Sequence, residues 1–238
     1  MIKLKKLVAT IIILLAIFIG MYINQKEEIK NQRITAEEVE KIEEYIQKIY
    51  MWKEVTEEAL PKFQTIEEAP EKWIWEVVKK NIEKYEDITS EEINAKAKEL
   101  FGENLKKQIS EKGNTSFEYN EEEQKYNATN IELDTDNDKF FINKIEKTKN
   151  GYEVEIIEYL EDYFEEPEDF IATDIEENNQ EGFNIPIKNL SGEKIFTVKN
   201  SEGQSKIVEE LKSNIDKFSK KKITLEKGND KIYITKVE

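Results

Sequence analysis

The hydrophobic period of this chain changes near Phe117, and that change sets the class of fold open to it. Upstream, apolar residues recur every three or four positions; downstream they alternate, with Gly and Asn placed at intervals suited to hairpins. Residues 35–112 are therefore expected to be helical and residues 113–238 β-rich. The fold class is α+β: a three-helix N-terminal unit packed with a mainly antiparallel β-sheet, plus one further C-terminal amphipathic helix.

Each helix has its own signals. Thr35 and Glu38 form a capping-box pair ahead of Val39, Ile42, Ile46 and Ile49, and Pro61 should close this unit or a short successor. In "EKWIWEVVKKNIEKY", Ile74, Val78, Ile82 and Tyr85 make a stripe with Trp75 beside it, while Trp73 stacks toward Val77. One of the two Trp must leave the stripe unless the helix is buried all round. The third helix takes Ser90 as cap, Ile93, Ala97, Leu100 and Phe101 as its apolar face, and Gly102 as its stop.

In the β-rich half, strands are expected at "FEYN", "QKYNA", "TNIELD" and "KIFTVKN". Asn150-Gly151 suits a type I′ turn, and a two-residue loop there would set Ile145 opposite Ile156 and Phe141 opposite Leu160, all on one face. Ile207, Val208, Leu211, Ile215 and Phe218 mark the last helix, and "KITLEKGNDKIYITKV" a closing hairpin.

The N-terminus carries an address. Lys3, Lys5 and Lys6 precede an uncharged, mainly apolar run from Leu7 to Ile23, about 26 Å as a helix and just long enough to span a bilayer. No small-x-small cleavage site follows, which favours a retained signal anchor over secretion after cleavage. The division is then a signal anchor over 1–24, a tether over 25–34 and a domain over 35–238. The positive-inside rule puts the first residues in the cytoplasm and that domain outside.

Composition narrows the chemistry. The 238 residues include no His and no Cys, and Arg33 is the single Arg. Ser-His-Asp triads, Cys nucleophiles, thiolate zinc sites and disulfides are excluded, and no cofactor is expected. The formal charge of -16 opposes binding to nucleic-acid phosphates. Past the three leading Lys the chain holds 33 basic and 52 acidic residues, a net charge of -19.

Two stretches invite a ligand. Asp134, Asp136 and Asp138 in "ELDTDNDKFF" have the spacing of a calcium loop, but its sixth and twelfth positions, which should be Gly and Glu, are Lys139 and Ile145. The stretch reads better as a hairpin tip with Asp136 and Asn137 in the connection. Residues 150–187 hold thirteen Asp and Glu and no Lys or Arg. Within them Glu158, Tyr159, Glu161, Asp162, Tyr163, Glu165, Glu166, Glu168 and Asp169 form a possible partner surface for a cationic envelope component or protein.

Other patterns carry less. Two Ser-x-x-Lys matches, Ser191 to Lys194 and Ser219 to Lys222, lack the companion motifs of penicillin-binding proteins, and the second is expected at a helix end. Trp73 and Trp75 suit core packing better than sugar stacking. Sequons at Asn114, Asn127 and Asn189 matter only in a eukaryotic secretory setting.

The Lys-rich, Arg-poor style with its short Lys-led anchor resembles uncharacterised signal-anchored proteins of AT-rich Gram-positive bacteria. The segments "ITSEEINAKAKELFGEN", "FEYNEEEQKYNA" and "FFINKIEKTKNGYEVEIIEYL" are similar in order to small NTF2-like or cystatin-like extracytoplasmic domains. That resemblance implies no ligand or catalytic residue. The expected function is non-catalytic binding or scaffolding at the cell envelope. The alternatives are a carboxylate-based hydrolase of envelope polymers and a calcium-dependent adhesion module.

Overall fold

The computed structural model describes residues 33–129, 138–162, 184–228 and 231–238. Two compact units divide within the first helix: Met1–Glu40, and Lys41–Glu238. The expected membrane helix over 7–23 and, past Thr129, the strand at "TNIELD" lie outside the described residues. Among the described residues no helix is long and apolar enough to cross a membrane.

Helix α1 (Ala36–Ile49) opens with the expected capping box: Thr35 Oγ1 accepts from Glu38 N at 3.2 Å, and Glu38 Oε2 accepts from Thr35 N at 2.9 Å. Ile42, Ile46 and Ile49 are buried, while Val39 is exposed. A four-residue helix α2 (Lys53–Thr56) ends at Glu57, a non-glycine residue with φ of 70°.

Helix α3 (Glu71–Asn81) is buried through seven consecutive residues, Trp73 to Lys79, so both Trp are internal. Each indole N–H is satisfied, Trp73 by the Ala59 carbonyl at 3.2 Å and Trp75 by Glu71 at 3.3 Å. The stripe was expected to run on to Tyr85; the helix instead ends at Asn81, Ile82 is extended and Tyr85 is exposed.

Helix α4 (Ser90–Phe101) is capped by Thr89, not Ser90. The reason is local: Thr89 has Glu92 three residues on, completing a capping box, whereas Ser90 has Ile93. Gly102, with φ of 77°, stops the helix as expected.

A hairpin of β1 (Phe117–Asn120) and β2 (Lys125–Ala128) forms a separate two-stranded sheet. The main sheet comprises β3 (Asp138–Lys147), β4 (Gly151–Glu161), β5 (Asn184–Lys188), β6 (Lys194–Lys199), β7 (Ser219–Gly228) and β8 (Lys231–Val237), with every pairing antiparallel. Leu160 pairs with both Asp138 and Lys188, and Glu158 with both Phe140 and Ser219. Strand β3 therefore follows one edge of β4, while β7 and then β5 share the other.

The β3–β4 hairpin corrects the expected register. Lys147 pairs with Tyr152 and Ile145 with Val154, a slip of two residues that keeps Ile145 on its intended face. A bulge at Asn143 then sets Phe141 opposite Ile157. Phe141 consequently packs on the opposite side of the sheet from Ile145. Neither Asn150 nor Gly151 has positive φ, so the turn is not type I′. Gly151 is instead pressed against β7, where an added Cβ would overlap the Leu225 carbonyl oxygen.

Strand β5, absent from the sequence expectations, carries Pro186 at its centre, a residue that ordinarily speaks against a strand. The Pro186 carbonyl still accepts from Asp162 N at 3.0 Å. Helix α5 (Gly203–Ser213) buries Ile207 and Leu211, and ends before Ile215 and Phe218.

The sheet separates two cores. The larger joins the buried residues of α1, α3 and α4 to Tyr152, Val154, Ile156, Ile223, Leu225 and Ile234. The smaller gathers Ile157, Tyr159, Ile185, Ile187, Val198 and the buried side of α5. The Tyr45 hydroxyl links three elements, donating to the Leu100 carbonyl and accepting from Ile234 N, both at 2.8 Å. A bulge at Thr235 in β8 frees that N–H from the ladder.

Candidate functional site

Strand β4 places alternate residues on each core. Tyr152, Val154 and Ile156 face the larger one, and the same alternation continues to Glu158. On β7 the same face carries Leu225, Ile223 and then Lys221. Both apolar stripes thus end in a charged residue at diagonal positions, where Lys221 pairs with Ile156 and Glu158 with Ser219.

Covering this corner, Lys221 Nζ donates to the Leu60 carbonyl, contacts Glu58 Oε2 at 3.1 Å and lies 3.4 Å from Glu158 Oε2. Glu158 Oε1 accepts from the Tyr50 hydroxyl at 3.3 Å, and that hydroxyl is equally close to the Lys139 carbonyl. Desolvation raises the pKa of the Glu158 carboxyl, offset in part by Lys221 and Tyr50. Burial, then the negative charges of Glu158 and Asp138, hold the Tyr50 hydroxyl well above its ordinary range, so it stays a neutral donor.

The corner opens into a pocket of about 250 Å³. Ala59, Glu158 and Lys221 are its buried residues; Lys53, Glu57, Glu58, Lys62 and Ser219 are its exposed ones, and Asp138 and Leu190 complete the lining. The entry at Lys53 is fixed by its backbone N–H, which donates to Asp138 Oδ2 at 2.7 Å.

The expected site residues meet different fates. Asp134 and Asp136 lie outside the described residues. Asp138 begins β3 and is engaged by Lys53. Among the described residues no group of acidic side chains could hold a metal ion. Of the possible partner surface, Glu158, Tyr159 and Glu161 are buried, because β4 is central and covered on both faces. They belong to the interior, not to an exposed acidic face. Tyr159 faces the smaller core, donating to Glu161 at 3.3 Å and accepting from Gln204 at 3.1 Å. Asp162 pairs with Lys188 at 2.6 Å. Tyr163, Glu165, Glu166, Glu168 and Asp169 lie outside the described residues.

Tyr50, Glu58 and Lys221 were missed. Counting back by twos from Leu225 through Ile223 would have placed Lys221 inside, but nothing local indicates that Glu58 and Tyr50 meet it. The second Ser-x-x-Lys match opens β7 and does not end a helix; Lys222 there pairs with Glu153 at 2.7 Å.

A second buried polar cluster lies under the small sheet. Lys79 contacts both oxygens of Glu76, at 3.0 and 2.8 Å, and donates to Thr129 at 3.2 Å, while Ser116 donates to Glu76 at 2.7 Å. It ties α3 to the residues flanking the β1–β2 hairpin and adjoins no pocket described above.

No family model matches the chain, and neither curated proteins nor solved structures provide a match.

Proposed function

We propose that the chain is a membrane-anchored module whose domain over residues 35–238 faces outward and binds a ligand or partner at the cell envelope without catalysing a reaction. The carrying observation is the pocket beside Lys221, where a buried lysine and glutamate are held on rigid strands instead of loops. The address rests on Lys3, Lys5 and Lys6 ahead of the apolar run over 7–23. Membrane fractionation of the full chain with external protease tests it. The expected product is membrane-bound and digestible from outside; a soluble, protected product overturns the address.

A second reading, a carboxylate-based hydrolase of envelope polymers, is favoured by one feature. Glu158, with its raised pKa, and Glu58 both approach Lys221 at the pocket, which resembles an acid paired with a second carboxylate. Release of reducing ends from cell-wall polymer, abolished by Glu158→Gln, would establish it. Equal release by wild type and variant would exclude it.

A further inference from the structure

We propose that the pocket beside Lys221 receives the ammonium head of a small primary amine, with Glu158 as its buried acceptor. This rests on the binding reading above and names its ligand class. Glu158 is 1% exposed and lines the pocket, and among the described residues its Oε2 atom has no hydrogen-bond partner. Lys221, at 3.4 Å, stands beyond the usual length of a charge-assisted hydrogen bond, and its ammonium also contacts the Leu60 carbonyl and Glu58. A buried carboxylate oxygen in that condition calls for a donor.

The charge around it selects the kind of donor. Glu57, Glu58, Asp138 and Glu158 outnumber Lys53, Lys62 and Lys221 in the lining, within a chain of net charge -16. A carboxylate ligand would add another acceptor where a donor is short. A neutral hydroxyl would supply the hydrogen bond but gain nothing from the field. At about 250 Å³ the pocket is smaller than the roughly 300–1,000 Å³ typical of drug-sized ligands, and it suits one head group on a short alkyl stem.

The test is titration of the ¹⁵N-labelled full chain in nonionic detergent with n-butylamine, butyrate and n-butanol at pH 7, following the amide signals of Ala59, Leu190 and Ser219. Saturable shifts are expected with the protonated amine, weakened at least tenfold in Glu158→Gln and unchanged in the remote Glu103→Gln. Should Glu158→Gln lose its dispersed spectrum, Glu58→Gln replaces it, with at least a threefold weakening expected. Butyrate or butanol binding as tightly as the amine would overturn the ligand class while leaving the pocket a binding site. Amine affinity unchanged in the variant that folds would overturn the role of the carboxylates. No saturation by any of the three would overturn both this inference and the binding reading beneath it.

Discussion

At Gly151 a methyl group would collide with the carbonyl of Leu225 on the neighbouring strand, and the glycine's role follows from that contact. Gly151→Ala is expected to destabilise the fold by about 3 kcal/mol, the upper range for overpacking, in urea unfolding. Asn150→Ala should stay within about 0.5 kcal/mol, since Asn150 does not hold positive φ. A type I′ turn would make Asn150 matter as well, so the pair of variants separates the two accounts. The dipeptide correctly signalled a hairpin, yet its register came out two residues away, and the strand pressed against Gly151 is β7, distant in sequence. Local residues show that a turn exists; they do not show which strand will lie against it.

Among the elements, α3 departs furthest from an ordinary amphipathic helix. Its seven consecutive buried residues include Glu76 and Lys79, each about 3% exposed, so the polar pair has to be satisfied internally. Removing one partner strands the other: Lys79→Met is expected to cost about 3–5 kcal/mol. Replacing both, as Glu76→Leu with Lys79→Met, should cost less than either single change, because no buried charge then lacks a partner. Urea unfolding of the four proteins in this cycle measures it, and strict additivity would dismiss the coupling. The capping box of α1, the apolar face of α4 and its Gly102 stop were legible because each depends on residues within a turn or two. The burial of Glu76 was not, since Ser116 and Thr129, which flank the β1–β2 hairpin, lie 40 or more residues along the chain from the side chains they contact.

For the molecule as a whole, Glu158 links the sheet to pH. Tyr50, Lys221, Glu58 and Asp138 are the titratable groups around it, and burial makes its folded pKa higher than its unfolded one. Folding favours protonation of Glu158 relative to the unfolded chain, so its contribution is complete below the unfolded value of 4.5 and is lost as pH rises through the folded value. The stability of wild type minus that of Glu158→Gln should therefore fall as pH climbs above 4.5, by no more than about 1.4 kcal/mol per pH unit. Urea unfolding from pH 4 to 8 checks this, and a flat or rising difference would contradict it. The sequence by itself determined the α+β class, the helices, the closing hairpin and the excluded chemistries, because period, capping and composition act over a few residues. Only the tertiary structure decided that Glu158 lies inside beside Lys221. Their meeting requires β4 and β7 to pair across more than sixty residues and the Tyr50–Leu60 segment to close over them, and no short-range pattern encodes that.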